Sequence, residues 1–272
     1  MSCFDTAFLF RKEKQMKKKP HLILFLFTWF IVTNLASLGI SEIVAVFHDS
    51  PAILNSNFWT LVIQGIADLI TAIVMFWIIK SQYQTPSFDF KQNPFKNNWP
   101  SAWYLVMILF LAFFAKYTKL STSLLIIFTA LSIAICEELV FRAGVINALK
   151  RAIPNNPITW ILISGFIFGA IHGVNLLTTH ESLIAGLIQI SDNICVGIIL
   201  ACMYLANHGS LVYPILIHYL IDMIGLSQDN MDVTSHVTNP LSLLPVLIFA
   251  ILSLIVFVKK GNSNEKTTQK EN

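Results

Sequence analysis

Long apolar segments separated by short polar loops dominate the chain and predict a bundle of membrane helices. A helix needs about 20 apolar residues to cross a bilayer, and several segments reach or approach that length. The pattern predicts helices at about 21–47, 58–79, 101–115, 120–152, 158–174, 183–206, 211–226 and 241–258. The predicted fold class is therefore all-α, a polytopic transmembrane helix bundle of about eight spans.

The fourth predicted helix, at about 120–152, is longer than a single span requires. We expect it to be kinked, tilted, or continued as an interfacial helix beyond Arg142. The sequence Pro154-Asn155-Asn156-Pro157 then ends it, because proline and asparagine are typical of turns.

Composition supports a membrane protein. Of the 272 residues, 55% are hydrophobic and 12% are charged, whereas soluble domains carry about 25% charged residues. The four cysteines form no CxxC pattern, so we expect neither disulfides nor a cysteine-rich metal site. The net charge of +3 comes mostly from the chain ends and loops. This distribution predicts membrane topology and contact with the lipid bilayer, and we expect no nucleic-acid partner.

The basic residues predict that both termini are cytoplasmic, since Lys and Arg are enriched in cytoplasmic segments. Basic side chains lie between Arg11 and Lys19 and again at Lys259-Lys260. Lys116 and Lys119 fall on the opposite side in this scheme, so the path of helices three and four is the least determined. The chain divides into a basic N-terminal segment (1–20), N-terminal transmembrane helices (21–119), a helical core (120–226), a loop with the last helix (227–258) and a polar tail (259–272). Residues 261–272 of the tail are expected to be disordered.

Two adjacent glutamates and an arginine interrupt the apolar segment 120–152. A charged residue at the centre of a membrane helix costs about 2.5 to 3.5 kcal/mol, so these groups are expected to neutralise one another, to do chemistry, or both. Glu138 and Arg142 are four residues apart and can pair on one helical face. Glu137 is rotated by about 100° from Glu138 and has no obvious partner on its own helix.

Other predicted helices supply His172, and the pair His218 and Asp222. Glutamate and histidine side chains that converge from separate helices can activate water or bind a metal. A single Glu-Arg pair is often purely structural, and a lone membrane histidine is more often a satisfied core residue than a ligand. The combination on three helices nevertheless favours a functional site. Asp68, Asp192 and Asn193 are expected to line the bundle interior, with Asp192 the one that could lie near the site.

Three motifs resemble those of the CAAX protease and bacteriocin-processing (CPBP, or Abi) family of intramembrane proteases. Glu137-Glu138-Leu-Val-Phe-Arg142 is similar to its EExxxR motif, Phe168-Gly-Ala-Ile-His172 to FxxxH, and His218-Tyr-Leu-Ile-Asp222 to HxxxN/D. The resemblance covers about Leu124 to Leu226. Two positions depart from the family pattern: Ala143 stands where Gly is usual, and Asp222 replaces the commoner Asn.

The resemblance implies hydrolysis of a peptide bond in a membrane protein or peptide, and location in a bacterial cell membrane. Glu137 and His172 would activate a water, while His218 and Asp222 would stabilise the oxyanion or position the scissile carbonyl. Glu138 and Arg142 would pair and hold the helix in place. Family members are commonly labelled metalloproteases, so zinc bound by His172, His218 and Glu137 is possible. A metal-independent mechanism with Glu137 as general base is slightly preferred, because only two histidines occupy motif positions.

Two other function classes stay open. The buried Glu, His and Asp groups could form the proton relay of a secondary transporter, although no paired halves with matching broken segments are visible. The chain could instead be a non-catalytic membrane scaffold or bacteriocin-immunity protein, although the complete motif set favours an enzyme.

Overall fold

Helices form where the apolar segments predict them. The computed structural model describes residues 22–48, 54, 56–83, 85–114, 120–178, 182–227, 241 and 243–271. The described helices are α1 (Leu22–Phe47), α2 (Asn57–Gln82), α3 (Pro94–Asn97), α4 (Trp99–Phe114), α5 (Leu120–Glu138), α6 (Ile146–Ala152), α7 (Pro157–Ile171), α8 (Asn175–Thr178), α9 (Leu183–Ala206), α10 (Val212–Leu226) and α11 (Leu243–Glu271). The basic segment 1–20, Lys116, Lys119 and most of the loop 227–240 lie outside the described residues.

The prediction of an all-α polytopic membrane bundle is confirmed. Among the described residues, six helical segments are long and apolar enough to cross a bilayer, and two shorter apolar helices, Trp99–Leu111 and Val212–Leu226, accompany them. The polar composition predicts disorder for residues 261–272, whereas α11 continues to Glu271. The tail contains Glu, Lys and Gln, which are good helix formers and can extend an existing helix.

The long segment 120–152 is irregular, as expected, because it contains a short π-helix. Residues Leu139–Val145 link α5 to α6 with this wider turn, and all seven are buried. Short π-segments within α-helices are rare and occur frequently at functional sites. A Cβ added to Gly144 would clash with the Phe25 ring, so glycine at this position allows α1 to pack against the π-segment.

Small residues allow α7 and α9 to approach closely. A Cβ on Gly197 would lie 2.9 Å from the Cα of Gly165, and one on Gly169 would lie 2.7 Å from the Ile190 carbonyl oxygen. Membrane helices commonly associate through such small residues. This packing fixes the end of α7, where His172 begins a 3₁₀ turn that runs to Val174.

Among the described residues, Lys96, Arg151 and Lys260 lie at one end of the bundle. The Arg151 guanidinium lies 4.7 Å from the centre of the Tyr83 ring, and Lys260 donates a hydrogen bond to the Lys96 carbonyl at 2.8 Å. We call the face marked by Lys96, Arg151 and Lys260 the basic end. Helix α2 finishes there, just before Tyr83. At about 1.5 Å per residue, a helix of this length spans a bilayer, so its start at Asn57 lies at the opposite face.

Candidate active site

Arg142 is neutralised within the buried core by Glu138, one helical turn earlier. Arg142 Nε lies 2.9 Å from Glu138 Oε2, and Arg142 donates a hydrogen bond from a terminal nitrogen to Oε1 at 3.2 Å. Both side chains are 0% exposed. The predicted ion pair is therefore present across the junction of α5 and the π-segment.

Two further contacts hold the Arg142 guanidinium from the side of α7. A terminal nitrogen lies 3.5 Å from the Ser164 hydroxyl, which itself donates to the Phe141 carbonyl at 3.3 Å. The guanidinium carbon lies 4.9 Å from the centre of the Phe168 ring, an arrangement typical of a cation–π interaction. Arg142 thus connects the motif helix to α7.

Glu138 also contacts His218 of α10. The Glu138 Oε1 atom lies 3.0 Å from His218 Nδ1, and His218 is buried. Since a carboxylate oxygen only accepts, this hydrogen bond places a proton on Nδ1 and fixes the orientation of the ring. The spacing of His218 and Asp222 on successive turns suggests that Asp222 fixes the histidine tautomer. In the structure Glu138 contacts Nδ1, and Asp222 is on the other side of the ring.

The second ring nitrogen of His218 faces two carboxylates from different helices. His218 Nε2 lies 3.7 Å from Glu137 Oε2 and 3.5 Å from Asp222 Oδ2. Both oxygens are buried and form no hydrogen bond within the described part of the chain. Buried polar atoms are rarely left unsatisfied unless they have a special role. Glu137, which has no partner on its own helix, therefore converges with Asp222 on the Nε2 atom of His218.

Phe168 joins His172 to this group. The His172 and Phe168 ring centres are 5.0 Å apart, and those of Phe168 and His218 are 5.5 Å apart. The His172 Nδ1 atom lies 2.8 Å from the Phe168 carbonyl oxygen. Because a carbonyl only accepts, Nδ1 carries the proton, and in the neutral ring Nε2 keeps its lone pair. The described contacts of His172 are with Phe168, and its joint action with Glu137 stays a prediction.

The sequence analysis assigns no role to Ser164, and it includes Phe168 only as the first residue of the FxxxH motif. It also ranks Asp192 above Asp68 as the acidic residue that could lie near the site. Asp68 is buried and interacts electrostatically with Glu137 and Asp222. Its position near the middle of an apolar helix is the signal that could have found it, since intramembrane carboxylates are functional candidates by default.

The motif residues do not form a metal site in this arrangement. Across the described ranges, no group of three or more His, Cys, Asp or Glu side chains is arranged to hold a metal ion. The contact with Glu138 uses only the Nδ1 atom of His218 and leaves Nε2 available, as in histidines that bind a metal. Zinc binding by His172, His218 and Glu137 therefore stays a prediction.

A family model matches part of the chain. Residues 118–224 match the family model described as type II CAAX prenyl endopeptidase, Rce1-like. This segment contains all three motifs and confirms the resemblance to the CPBP family. No curated protein and no solved structure matches the chain.

Proposed function

We propose that this integral membrane protein is an intramembrane endopeptidase, because residues 118–224 match the family model described as type II CAAX prenyl endopeptidase, Rce1-like. The single observation that carries the proposal is the convergence of two unsatisfied carboxylates on one imidazole nitrogen. Glu137 Oε2 and Asp222 Oδ2 lie 3.7 and 3.5 Å from His218 Nε2. These separations exceed a direct hydrogen bond and suit groups that share a small polar molecule such as water.

Glu137 is the proposed general base. It takes a proton from the attacking water as the water oxygen forms a bond to the scissile carbonyl carbon. It then gives that proton to the departing amine as the carbon–nitrogen bond breaks. A positioned base contributes about 10² to 10⁴ in rate. His172, whose Nε2 keeps its lone pair when Nδ1 bonds to Phe168, helps to orient the water.

His218 is the proposed partner of the carbonyl oxygen. Glu138 holds the proton of His218 on Nδ1, so Nε2 donates to the developing oxyanion only when the ring is protonated. The carboxylates of Glu137, Glu138 and Asp222 around the ring favour this protonated form electrostatically. An oxyanion donor in a water-poor site is worth about 10² to 10³ in rate. Glu138 and Arg142 act through His218 and are positioning residues.

The substrate class follows from the setting of the site. The motif side chains are carried by apolar helices that span or enter the membrane, so the substrate is a membrane-associated protein or peptide. A prenylated CAAX peptide is the first candidate to try, because the matched family model carries that description.

The test compares cells that carry the intact protein with cells that carry Glu137→Ala. We expect membrane peptides that appear only with the intact protein, because cleavage needs the carboxylate. A quenched fluorogenic prenylated CAAX peptide then serves as a defined substrate for the purified proteins. The control is Glu42→Ala, which removes an exposed glutamate from α1. Identical peptide profiles from the intact and Glu137→Ala proteins, at equal protein abundance, would count against a protease.

We also propose that the basic end faces the cytoplasm of a bacterial cell, with both termini on that side, since Lys and Arg favour the cytoplasmic face. Cysteines placed at positions 5 and 268 should be labelled by an impermeant thiol reagent only when the cytoplasmic face is accessible. Labelling of the two positions from opposite faces would refute this topology.

A further inference from the structure

A polar cleft separates α1 from α2 in the part of the chain that the family model does not cover. The cleft has a volume of about 380 Å³. Three lining residues, Thr33, Ser37 and Ser41, repeat every four positions along α1, and three more, Thr60, Gln64 and Asp68, do so along α2. Each set occupies one helical face, so two polar stripes face one another between otherwise apolar helices.

The cleft is polar and large enough to hold water. Thr33 donates to the Trp29 carbonyl at 3.0 Å, and Ser41 donates to the Ser37 carbonyl at 2.8 Å. Their hydroxyl hydrogens are used within α1, while their oxygens keep acceptor capacity toward the cleft. A water occupies about 30 Å³ of liquid volume and needs two to four polar partners. Space and partners are therefore both present.

Asp68 forms the inner end of the cleft. Its side chain lines the cleft but is only 9% exposed. Within the described part of the chain it forms no hydrogen bond, and the nearby carboxylates of Glu137 and Asp222 repel its negative charge. An unpaired carboxylate in a membrane interior is expensive, and contact with water is the simplest compensation.

The register of α2 against α5 places Asp68 at the depth of the candidate active site. The Thr129 hydroxyl donates to the Leu61 carbonyl at 3.0 Å, and Asp68 interacts with Glu137. The residue numbers differ by nearly the same amount in these two pairs. Helices α2 and α5 therefore run side by side in the same direction. The cleft residues lie in the first half of α2, and the cleft therefore runs inward from the face opposite the basic end.

We propose that this cleft is the water-entry route of the enzyme, leading from the face opposite the basic end to Glu137, with Asp68 as the positioning residue at its inner end. The inference rests on the proposed hydrolysis. Each cleaved peptide bond consumes one water, whose oxygen and one hydrogen enter the new carboxyl group and whose other hydrogen enters the new amine. Asp68 accepts a hydrogen bond from the entering water and holds it beside Glu137.

The first experiment tests the cleft without using activity. Single cysteines replace Ser37 or Gln64 in a full-length chain whose native cysteines are changed to alanine. A charged, membrane-impermeant thiol reagent is applied to vesicles of each orientation. We expect labelling of both cysteines from the face opposite the basic end. The matched control is Leu38→Cys, whose position is 62% exposed on the outer surface of α1 and does not line the cleft. Its thiol faces lipid and should react at least about tenfold more slowly, because the thiolate that reacts needs water.

The second experiment tests whether hydrolysis uses the route. Thr33→Leu places an apolar side chain in the cleft, and Thr28→Leu makes the same change outside it. Both threonines donate to the carbonyl four residues earlier, at 3.0 and 2.8 Å, so each substitution removes one equivalent side-chain hydrogen bond to the backbone. With the quenched CAAX peptide, we expect Thr33→Leu to lower kcat about tenfold at unchanged KM, which corresponds to about 1.4 kcal/mol. Thr28→Leu should leave kcat unchanged.

Asp68 variants separate positioning from structure. Asp68→Asn should lower kcat about tenfold at unchanged KM, and Asp68→Glu should recover part of that loss, since a displacement of about 1 Å can cost up to 10²-fold. A rise in KM with constant kcat would overturn the water route in favour of a substrate-binding cleft. Unlabelled cysteines, or labelling from the basic end alone, would also overturn it. If no peptide is cleaved by the intact protein, the proposed function fails, whereas the labelling result still decides whether the cleft admits water.

Discussion

The two sides of the His218 ring differ in how their charged groups are paired. On the Nδ1 side, Glu138 contacts both His218 and Arg142, at 3.0 and 2.9 Å. Glu138 Oε2 and Arg142 Nε form a close ion pair there, although the two atoms do not meet hydrogen-bond geometry. On the Nε2 side, Glu137 and Asp222 lie 3.7 and 3.5 Å from the ring nitrogen, and one buried oxygen of each has no hydrogen-bond partner among the described residues.

This difference separates supporting groups from reacting groups. A charge network that is paired internally is already stabilised and has little capacity to bind substrate. Unsatisfied oxygens beside an imidazole nitrogen keep that capacity. We therefore propose different tasks for two adjacent residues of one motif: Glu138 orients His218, and Glu137 acts on water. Substitutions on each side of the ring test this division.

The largest effect is expected on the Nε2 side. Glu137→Gln should lower kcat by about 10² to 10⁴, the contribution of a general base, while the folded protein stays abundant. His172→Ala should lower kcat similarly. The effects of substituting groups that act as one unit are not additive. The double variant, Glu137→Gln with His172→Ala, should therefore be no less active than either single variant. The measurement is cleavage of the quenched CAAX peptide, with abundance followed in the membrane fraction.

Metal content is measured on the same proteins. We expect purified protein to keep its activity after chelation, because Glu137 acts directly on water. Reversible loss of activity on chelation, with loss of bound metal in His172→Ala, would establish the metal-dependent alternative instead. Wild-type cleavage by Glu137→Gln would contradict both forms of the enzyme assignment.

The next effect concerns stability on the Nδ1 side. Arg142→Ala leaves the Glu138 carboxylate buried without its cation, and breaking a buried pair costs about 3 to 5 kcal/mol. We expect low accumulation of this variant, with partial recovery when Glu138→Gln is added. The recovered double variant should still cleave poorly, because a neutral amide orients His218 less strongly than the carboxylate does.

Quantitative immunoblots of membrane fractions and thermal unfolding in detergent measure the accumulation and stability. Lys150→Ala is a suitable control for removing a nearby cation, because Lys150 has only aromatic rings as its described partners, those of Trp160 and Tyr204. Normal abundance of a folded Arg142→Ala protein would show that the pair is not needed for stability.

Local periodicity is sufficient to predict the helices and the Glu138–Arg142 pair. Apolar length determines where helices form, and a separation of four residues places two side chains on one face. The same reasoning cannot tell which groups meet across helices. The contact between Glu138 and His218 joins residues 80 positions apart and depends on how α10 packs against α5.

The sequence marks Asp68 as a candidate but cannot predict that it lies near Glu137, for a related cause. Its helix precedes the motif region, and only the register of α2 against α5 brings it to the depth of Glu137. The π-segment at Leu139–Val145 is predictable only as an irregularity. A single wider turn with i→i+5 hydrogen bonds leaves almost no trace in a sequence pattern when all of its residues are buried.

The smallest effect is expected at Asp222, on the same side as Glu137. Both carboxylates face His218 Nε2, so part of the electrostatic benefit of each is offset by repulsion between them. Asp222→Asn removes one charge but keeps a side-chain oxygen at the same position. We therefore expect it to retain kcat within about tenfold, or about 1.4 kcal/mol, whereas Asp222→Leu removes the oxygen and should lose about 10²-fold or more. Cleavage of the quenched CAAX peptide by the two variants at equal abundance decides between a hydrogen-bonding and a charge role. If Asp222→Asn is as damaging as Asp222→Leu, the charge is required, and Asp222 belongs with Glu137 among the proton-transferring groups.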